Sequence, residues 1–169
     1  LHHDPQGRPY ADRAEMARRI VAAAAHAGIG LTLLPVLYQA SGFGAAPPLS
    51  SQRRFVDGVD GLLEIAERLR ASGVHVGVAP HSLRAVPPQA LQALVAATHA
   101  ADAEAPVHIH IAEQPREVDD CVAWSGQRPV QWLHGLYRPD RYTYEMQLSR
   151  VGGIDAKVWV SKDVSAKFN

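Results

Sequence analysis

The chain has 169 residues, 47% of them hydrophobic and 20% charged, which is the composition of a globular protein with one hydrophobic core. Its formal net charge is zero and its basic residues form no run, so neither nucleic acid nor an anionic membrane is expected as a partner. Cys121 is the single cysteine, which excludes an internal disulfide bond and predicts a reducing, cytoplasmic compartment. No apolar run is long enough to span a bilayer, and because residue 1 is leucine we expect further sequence before it.

Helices and strands are predicted to alternate along most of the chain. Asp12, with Glu15 three residues later, has the spacing of a capping box, and Gly28 is placed to end the helix that follows. Apolar periodicity and turn residues predict the other elements. The predicted helices cover about 12–26, 59–71, 88–101 and 116–125, the predicted strands cover 30–38, 74–79 and 107–111, and a long loop covers 39–51.

This alternation predicts an α/β fold with a parallel sheet. An open doubly wound sheet and a (β/α) barrel both fit the pattern. No Gly-rich phosphate loop follows a strand, which weakens the nucleotide-binding version of the open sheet. Polar residues instead collect after the carboxyl ends of the strands, where barrels carry their chemistry. We therefore predict a segment of a (β/α)8 TIM-type barrel, holding about three of the eight strands that close one.

The third predicted strand alternates between apolar residues and histidines. Side chains on a strand alternate faces, so His108 and His110 share the face opposite Val107, Ile109 and Ile111. Burying two imidazoles against an apolar layer is costly unless they bind something. The strand therefore indicates a binding function on its histidine face.

A metal site is the functional interpretation of this strand. His110 ends the strand and suits Zn²⁺, while Glu113, three residues later, is placed to move protons as a general acid–base. His108 lies deeper and is expected to support or pack beside the ligand. The alternative for His110 is a core histidine that is hydrogen-bonded to a neighbour. The alternative for Glu113 is a carboxylate that lies on the surface or caps the helix near Pro115.

A second candidate group follows the second strand. Arg84 has the planar donor fork that matches a carboxylate, and His81 would add a further hydrogen bond. The alternative is an arginine paired with an acidic side chain on the barrel rim. Gln52, Arg53 and Arg54 close the long loop and either face solvent or reach over the pocket.

The composition changes after residue 134. Residues 1–134 contain eleven arginines and no lysine, whereas 135–169 contain three of each. The change fits either ordinary local variation or a join between unrelated sequences, such as a frameshift or a chimeric gene, and we predict the join. The two predicted domains are 1–134 and 135–169, the second a tail with strand-like runs at 142–148 and 156–160.

Residues 1–134 resemble the amidohydrolase superfamily and, within it, the formimidoylglutamate deiminases of histidine degradation. The HIHIAEQ stretch is shared by many deaminases of that superfamily, whereas the loop with residues 52–55 and the pair of His81 with Arg84 narrow the resemblance to the formimidoylglutamate branch. These motifs are the LHHDP stretch at 1–5, GFG at 42–44, QRRF at 52–55, APHSLRAV at 79–86 and HIHIAEQ at 108–114.

The resemblance implies a zinc-dependent barrel that hydrolyses N-formimino-L-glutamate, a small molecule, to N-formyl-L-glutamate and ammonia. His110 would be a metal ligand, Glu113 the catalytic acid–base, and His81 and Arg84 the residues that hold the substrate carboxylate. The His-x-His metal pair of the family's first barrel strand has no counterpart here, and no histidine follows His134 to serve as the sixth-strand ligand. We therefore expect the chain to be inactive alone, with open strand edges that favour homo-oligomers or aggregation.

Three interpretations remain open at this point. The chain is a fragment of a zinc deiminase, a non-catalytic remnant that keeps the carboxylate grip, or a truncated or chimeric product without function. Another deaminase of the superfamily is the alternative parent enzyme.

Overall fold

A computed structural model of the chain describes residues 2–111, 114–127, 142–150 and 159–168. The chain divides into two compact units, Leu1–Gln131 and Trp132–Asn169. Among the described residues no bilayer-spanning helix is found, because each helix there is too short or too polar. The four helices described in the first unit are α1 (Glu15–Ala27), α2 (Val59–Arg70), α3 (Pro88–Ala101) and α4 (Pro115–Ser125).

The first two predicted strands form a parallel ladder that is interrupted in the middle. β1 (Thr32–Leu33) pairs with β3 (His75–Val76), and β2 (Val36–Leu37) pairs with β4 (Ala79–Pro80) in the same register. Each predicted strand is split because Pro35 has no N–H to contribute to the ladder. Its carbonyl still accepts a hydrogen bond of 2.8 Å from the N–H of Ala79, so the two halves act as one parallel pair.

The third predicted strand, 107–111, pairs less regularly than the sequence suggests. Two isolated parallel bridges join it to the preceding strand, Val78 with Val107 and Ser82 with His110. The two bridges are out of register with each other by one residue, which is the signature of a bulge. The chain therefore bends just after β4, where the candidate site residues begin.

Helix α2 joins the two halves of the core. Its buried side chains follow the predicted helical stripe, and they divide between two clusters of apolar residues. One cluster lies against β1 and β3 and contains Ala14, Leu33, Ile65, Ala66, Leu69 and Val76. The other lies against β2 and β4 and contains Leu37, Leu62, Val78, Val86 and Leu94.

The helix ends agree with the sequence in most cases. Gly28 ends α1 in a left-handed conformation with φ of 68°, as glycine readily allows, and Pro88 begins α3. The predicted capping box at the start of α1 is wrong. Asp12 instead accepts a 3.0 Å hydrogen bond from the N–H of Ala14, the residue that precedes the helix, and Glu15 pairs with Arg19.

The second unit is an antiparallel hairpin in its described part. β5 (Tyr142–Arg150) pairs with β6 (Trp159–Phe168), and a register shift lies between Gln147 and Leu148. The first predicted strand of the tail is confirmed. The second overlaps β6 at residues 159–160, and residues 151–158 lie outside the described residues.

Gly77 should not tolerate a side chain. A Cβ at this position would collide with the carbonyl oxygen of Pro106 and would lie 2.7 Å from Cδ2 of Leu34. We expect Gly77→Ala to destabilise the chain by about 1–3 kcal/mol, because an overpacked core must shift its backbone. Urea unfolding followed by circular dichroism measures this change. Gly30→Ala is the control, since its Cβ would meet nothing within 4 Å, and equal stability of the two variants would contradict the predicted collision.

Candidate active site

A cavity of about 480 Å³ lies at the carboxyl ends of β2 and β4. Parallel strands end at the same edge of a sheet, so the residues that follow them meet there. The size is within the range of small-molecule sites. The side chains that line the cavity are His2, Val36, Tyr38, Gln52, Phe55, His81 and Arg84.

Arg84 is the permanent cation of this cavity. Its Nε is buried and has no hydrogen-bond partner among the described residues, and no described carboxylate forms an ion pair with its guanidinium. A buried donor without an acceptor is costly, and arginine keeps its charge in proteins. The alternative of a rim ion pair therefore finds no support in the described residues, and the guanidinium is suited to an anionic ligand. Arg84 also borders a second cavity of about 220 Å³, together with Gln89 and Trp124.

His81 stands between two other rings at the end of β4. The centroid of its ring lies 4.9 Å from that of Tyr38 and 5.4 Å from that of His110, both edge-on. Its Nδ1 lies 3.2 Å from Oγ of Ser82, and its carbonyl accepts a 3.1 Å hydrogen bond from the N–H of His110. The fold thus brings together two sequence-predicted site residues, His81 and His110, from separate strands.

Tyr38 and Gln52 form a hydrogen-bonded pair in the wall of the cavity. Nε2 of Gln52 donates to the Tyr38 hydroxyl at 2.8 Å, and Oε1 of Gln52 accepts from the N–H of Leu49 at 2.8 Å. Gln52 was an uncertain candidate from sequence, and it does border the cavity. Tyr38 was not singled out, although its place at the end of a predicted strand was a usable signal.

Arg53 and Arg54 do not reach over the cavity. Nε of Arg53 donates to the carbonyl of Pro5 at 2.7 Å, and Nε of Arg54 donates to that of His3 at 3.2 Å. Both guanidinium groups therefore hold the N-terminal segment. His2 in that segment lies 2.7 Å from the carbonyl of Val36 through Nε2, and burial lowers its pKa below the ordinary 6.5, so it is neutral at pH 7.

The described residues do not fit a zinc site by themselves. His108 and His110 are both exposed, and Glu113 lies outside the described residues. Within 2–111 and 114–127, no three His, Cys, Asp or Glu side chains gather into a group that would hold a metal ion. A catalytic zinc takes about three protein ligands. The His81–His110 pair is therefore at most part of a metal site.

The long loop 39–51 is fastened to α4 by stacked aromatic rings. The ring centroids of Phe43 and Trp124 lie 5.5 Å apart with planes inclined by 20°. The next two residues, Gly44 and Ala45, have φ of 72° and 59°, and this left-handed conformation is unfavourable for alanine. The stack holds a strained turn in place beside Arg84.

Comparison with known proteins adds independent support for the barrel. No protein-family model matches the chain. A formimidoylglutamate deiminase from Pseudomonas aeruginosa is 56% identical over 138 residues, which cover 79% of this chain and 30% of that protein. A crystal structure of an amidohydrolase from Brucella melitensis matches with a TM-score of 0.70 and 52% identity, over 77% of this chain and 29% of that one.

Shorter matches are to other deaminases. A 5-methylthioadenosine/S-adenosylhomocysteine deaminase from Nitratidesulfovibrio vulgaris is 41% identical over 59 residues, 35% of this chain and 13% of that protein. A 5'-deoxyadenosine deaminase from Methanoregula boonei is 36% identical over 73 residues, 42% of this chain and 16% of that protein.

These matches confirm the predicted fold class. The chain belongs to the amidohydrolase superfamily of hydrolases and is a segment of its TIM barrel. Within the superfamily it is a partial segment related to formimidoylglutamate deiminase, and it spans about a third or less of the length of the proteins it matches. Enzymes of this superfamily are generally metal-dependent.

Removing the ring of Trp124 should loosen the long loop. The aromatic pair contributes about 0.5–1.5 kcal/mol beyond simple burial, so Trp124→Ala should raise the rate of loop opening about two- to tenfold. Chymotryptic cleavage after the exposed Leu49 measures this rate. Val122→Ala, a change of an exposed residue on the same helix, is the control, and equal cleavage of the two variants would refute the fastening role.

Proposed function

We propose that this chain is a barrel segment of a zinc-dependent, cytoplasmic deiminase of histidine degradation. The complete enzyme would hydrolyse N-formimino-L-glutamate to N-formyl-L-glutamate and ammonia. Residues 1–134 would be the amidohydrolase part, and 135–169 a tail of separate origin. The similarity to the Pseudomonas deiminase across 79% of the chain supports this proposal over other deaminases of the superfamily, whose matches cover 42% or less.

The observation that carries the proposal is the place of Arg84 in the lining of the cavity, without an ion pair among the described residues. A carboxylate in the cavity would pair with the guanidinium of Arg84, and a charged hydrogen bond is stronger than a neutral one. His81 borders the same cavity and would add a second contact. The glutamate part of the substrate is thereby held at the carboxyl ends of β2 and β4.

The proposed catalytic groups lie on the neighbouring strand. His110, whose ring contacts that of His81, would be one ligand of the zinc in the complete enzyme, and His108 would support it. Glu113 would take a proton from the attacking water and deliver it to the departing nitrogen. Zinc when bound supplies Lewis acidity and a more acidic water. In this proposal the cavity holds the carboxylate end of the substrate, and His110 and Glu113 act on its formimino end.

The isolated chain should release no ammonia. Since its described residues gather no three-ligand metal group, added zinc should not restore activity. The measurement is an ammonia assay with N-formimino-L-glutamate and zinc, run beside the Pseudomonas enzyme as a positive control. Zinc-dependent ammonia release by the chain itself would contradict the proposed inactivity.

A carboxylate-binding remnant is the second candidate function, and it rests on the same Arg84 donor. Calorimetric titration with N-formyl-L-glutamate should show binding that Arg84→Met weakens about ten- to a hundredfold, because a hydrogen bond to a charged group contributes about 1.5–3 kcal/mol. Arg116→Met is the matched control, since Arg116 is fully exposed and pairs only with Asp120 among the described residues. Absence of heat with the unchanged chain would refute carboxylate binding. The remaining interpretation would then be a truncated or chimeric product without function.

A further inference from the structure

The Tyr38 hydroxyl is constrained to one hydrogen-bonding direction. Its oxygen accepts from Nε2 of Gln52 at 2.8 Å, and no described residue accepts a hydrogen bond from it. The ring is buried and held edge-on by His81, so the hydroxyl is fixed in place. The phenolic proton must therefore point away from Gln52.

Gln52 cannot reverse this arrangement by turning its amide. Its Oε1 is already required by the backbone N–H of Leu49, at 2.8 Å, and a turned amide would set two N–H donors against each other. The orientation of Gln52 thus follows from the backbone of the loop. In this orientation Gln52 donates to the Tyr38 hydroxyl, and the hydroxyl can donate its own proton to a ligand in the cavity.

The cavity therefore presents two groups that only donate. Arginine has no acceptor atom, so Arg84 in the cavity lining can only donate. Tyr38 would be an acceptor or a donor in isolation, but Gln52 has taken up its acceptor role. A donation to a hydroxyl also strengthens the donation that the hydroxyl makes.

We propose that Tyr38, oriented by Gln52, is a specificity-determining residue that makes this site select carboxylates over carboxamides. The inference rests on the proposed function, because it assigns a second donor to the carboxylate that Arg84 holds. A carboxylate accepts from both donors. A carboxamide of the same shape presents its own NH2 group to one of them, and leaves two donors facing each other.

The expected selectivity is about tenfold or more. A site built for hydrogen bonding strongly rejects an analogue that cannot form the bond, because its buried polar group is left unpaired. The probes are N-formyl-L-glutamate, its side-chain amide N-formyl-L-glutamine, and its α-amide N-formyl-L-isoglutamine. Calorimetric titration of the full chain gives the affinity of each probe. The amide that binds more weakly shows which of the two carboxylates the site holds, and the selectivity is the ratio of the acid's affinity to the affinity of that amide.

Two substitutions test the role of the hydroxyl direction. Tyr38→Phe keeps the ring contacts with His81 and removes the donor, so the ratio should fall by about fivefold or more. Gln52→Glu still accepts from Leu49 but also accepts from the hydroxyl, whose oxygen then faces the cavity as an acceptor. The ratio should fall at least as far as in Tyr38→Phe, since an amide NH2 now finds a partner.

Gln89→Glu controls for the added negative charge. Gln89 borders the second cavity beside Arg84 and is not paired with Tyr38. Its added charge repels the doubly charged acid more than the singly charged amides, so it gives the fall in ratio that charge alone produces, and the fall in Gln52→Glu should exceed it. The role of Tyr38 would be overturned if Tyr38→Phe kept the acid-to-amide affinity ratio and Gln52→Glu lowered it no more than Gln89→Glu does. If Arg84→Met still lost binding in that case, the proposed function would stand. Absence of acid binding in the unchanged chain would overturn both.

Discussion

The parallel pairing of β2 with β4 is the constraint on which the cavity depends. Val36 and Leu37 lie opposite Ala79 and Pro80, and the carbonyl of Leu37 accepts a 3.0 Å hydrogen bond from the N–H of His81. This bond aligns the two strand ends, so that the residues after each strand leave the sheet at the same level. The cavity follows from the register, and a shift of one residue would turn every side chain to the opposite face.

The packing beneath the sheet keeps this register. Leu37 and Val78 are fully buried in the cluster that α2 and α3 cover, and their strands cannot slide without opening that cluster. Gly77 lets the third segment of chain approach closely at Pro106. The bulge beyond β4 then turns His81 toward His110. The buried apolar layer thus fixes the positions of the polar site residues, although these residues lie at the carboxyl ends of the strands and outside that layer.

Much of the fold could be predicted from the sequence because local rules decide it. Proline at the start of α3 and glycine at the end of α1 fix those ends through backbone chemistry alone. The start of α1 could not be predicted, because Asp12 has two further partners in the fold, Arg18 and Arg68, and the second is distant in sequence. The interruption of the first strand at Pro35 was readable from the missing N–H of proline.

The candidate site was predictable to a lesser extent. Strand ends identify His81, Arg84 and His110, because a barrel carries its chemistry on the residues that follow its strands. The sequence cannot show that Arg53 and Arg54 turn to the backbone of the N-terminal segment, since that depends on contacts across about fifty residues. Nor can it show the direction of a hydrogen bond, which is what gives Tyr38 its role.

The same two arginines have a consequence for folding. The pairing of β2 with β4 joins Val36 to Ala79 across 43 positions of the chain, and Arg54 reaches His3 across 51. Loop-closure entropy makes such contacts slow to form and early to open. The N-terminal segment also carries His2, a wall of the cavity. The strand pair beneath the cavity and the wall formed by His2 therefore both depend on long-range closures, and the cavity is completed only after the helices have formed.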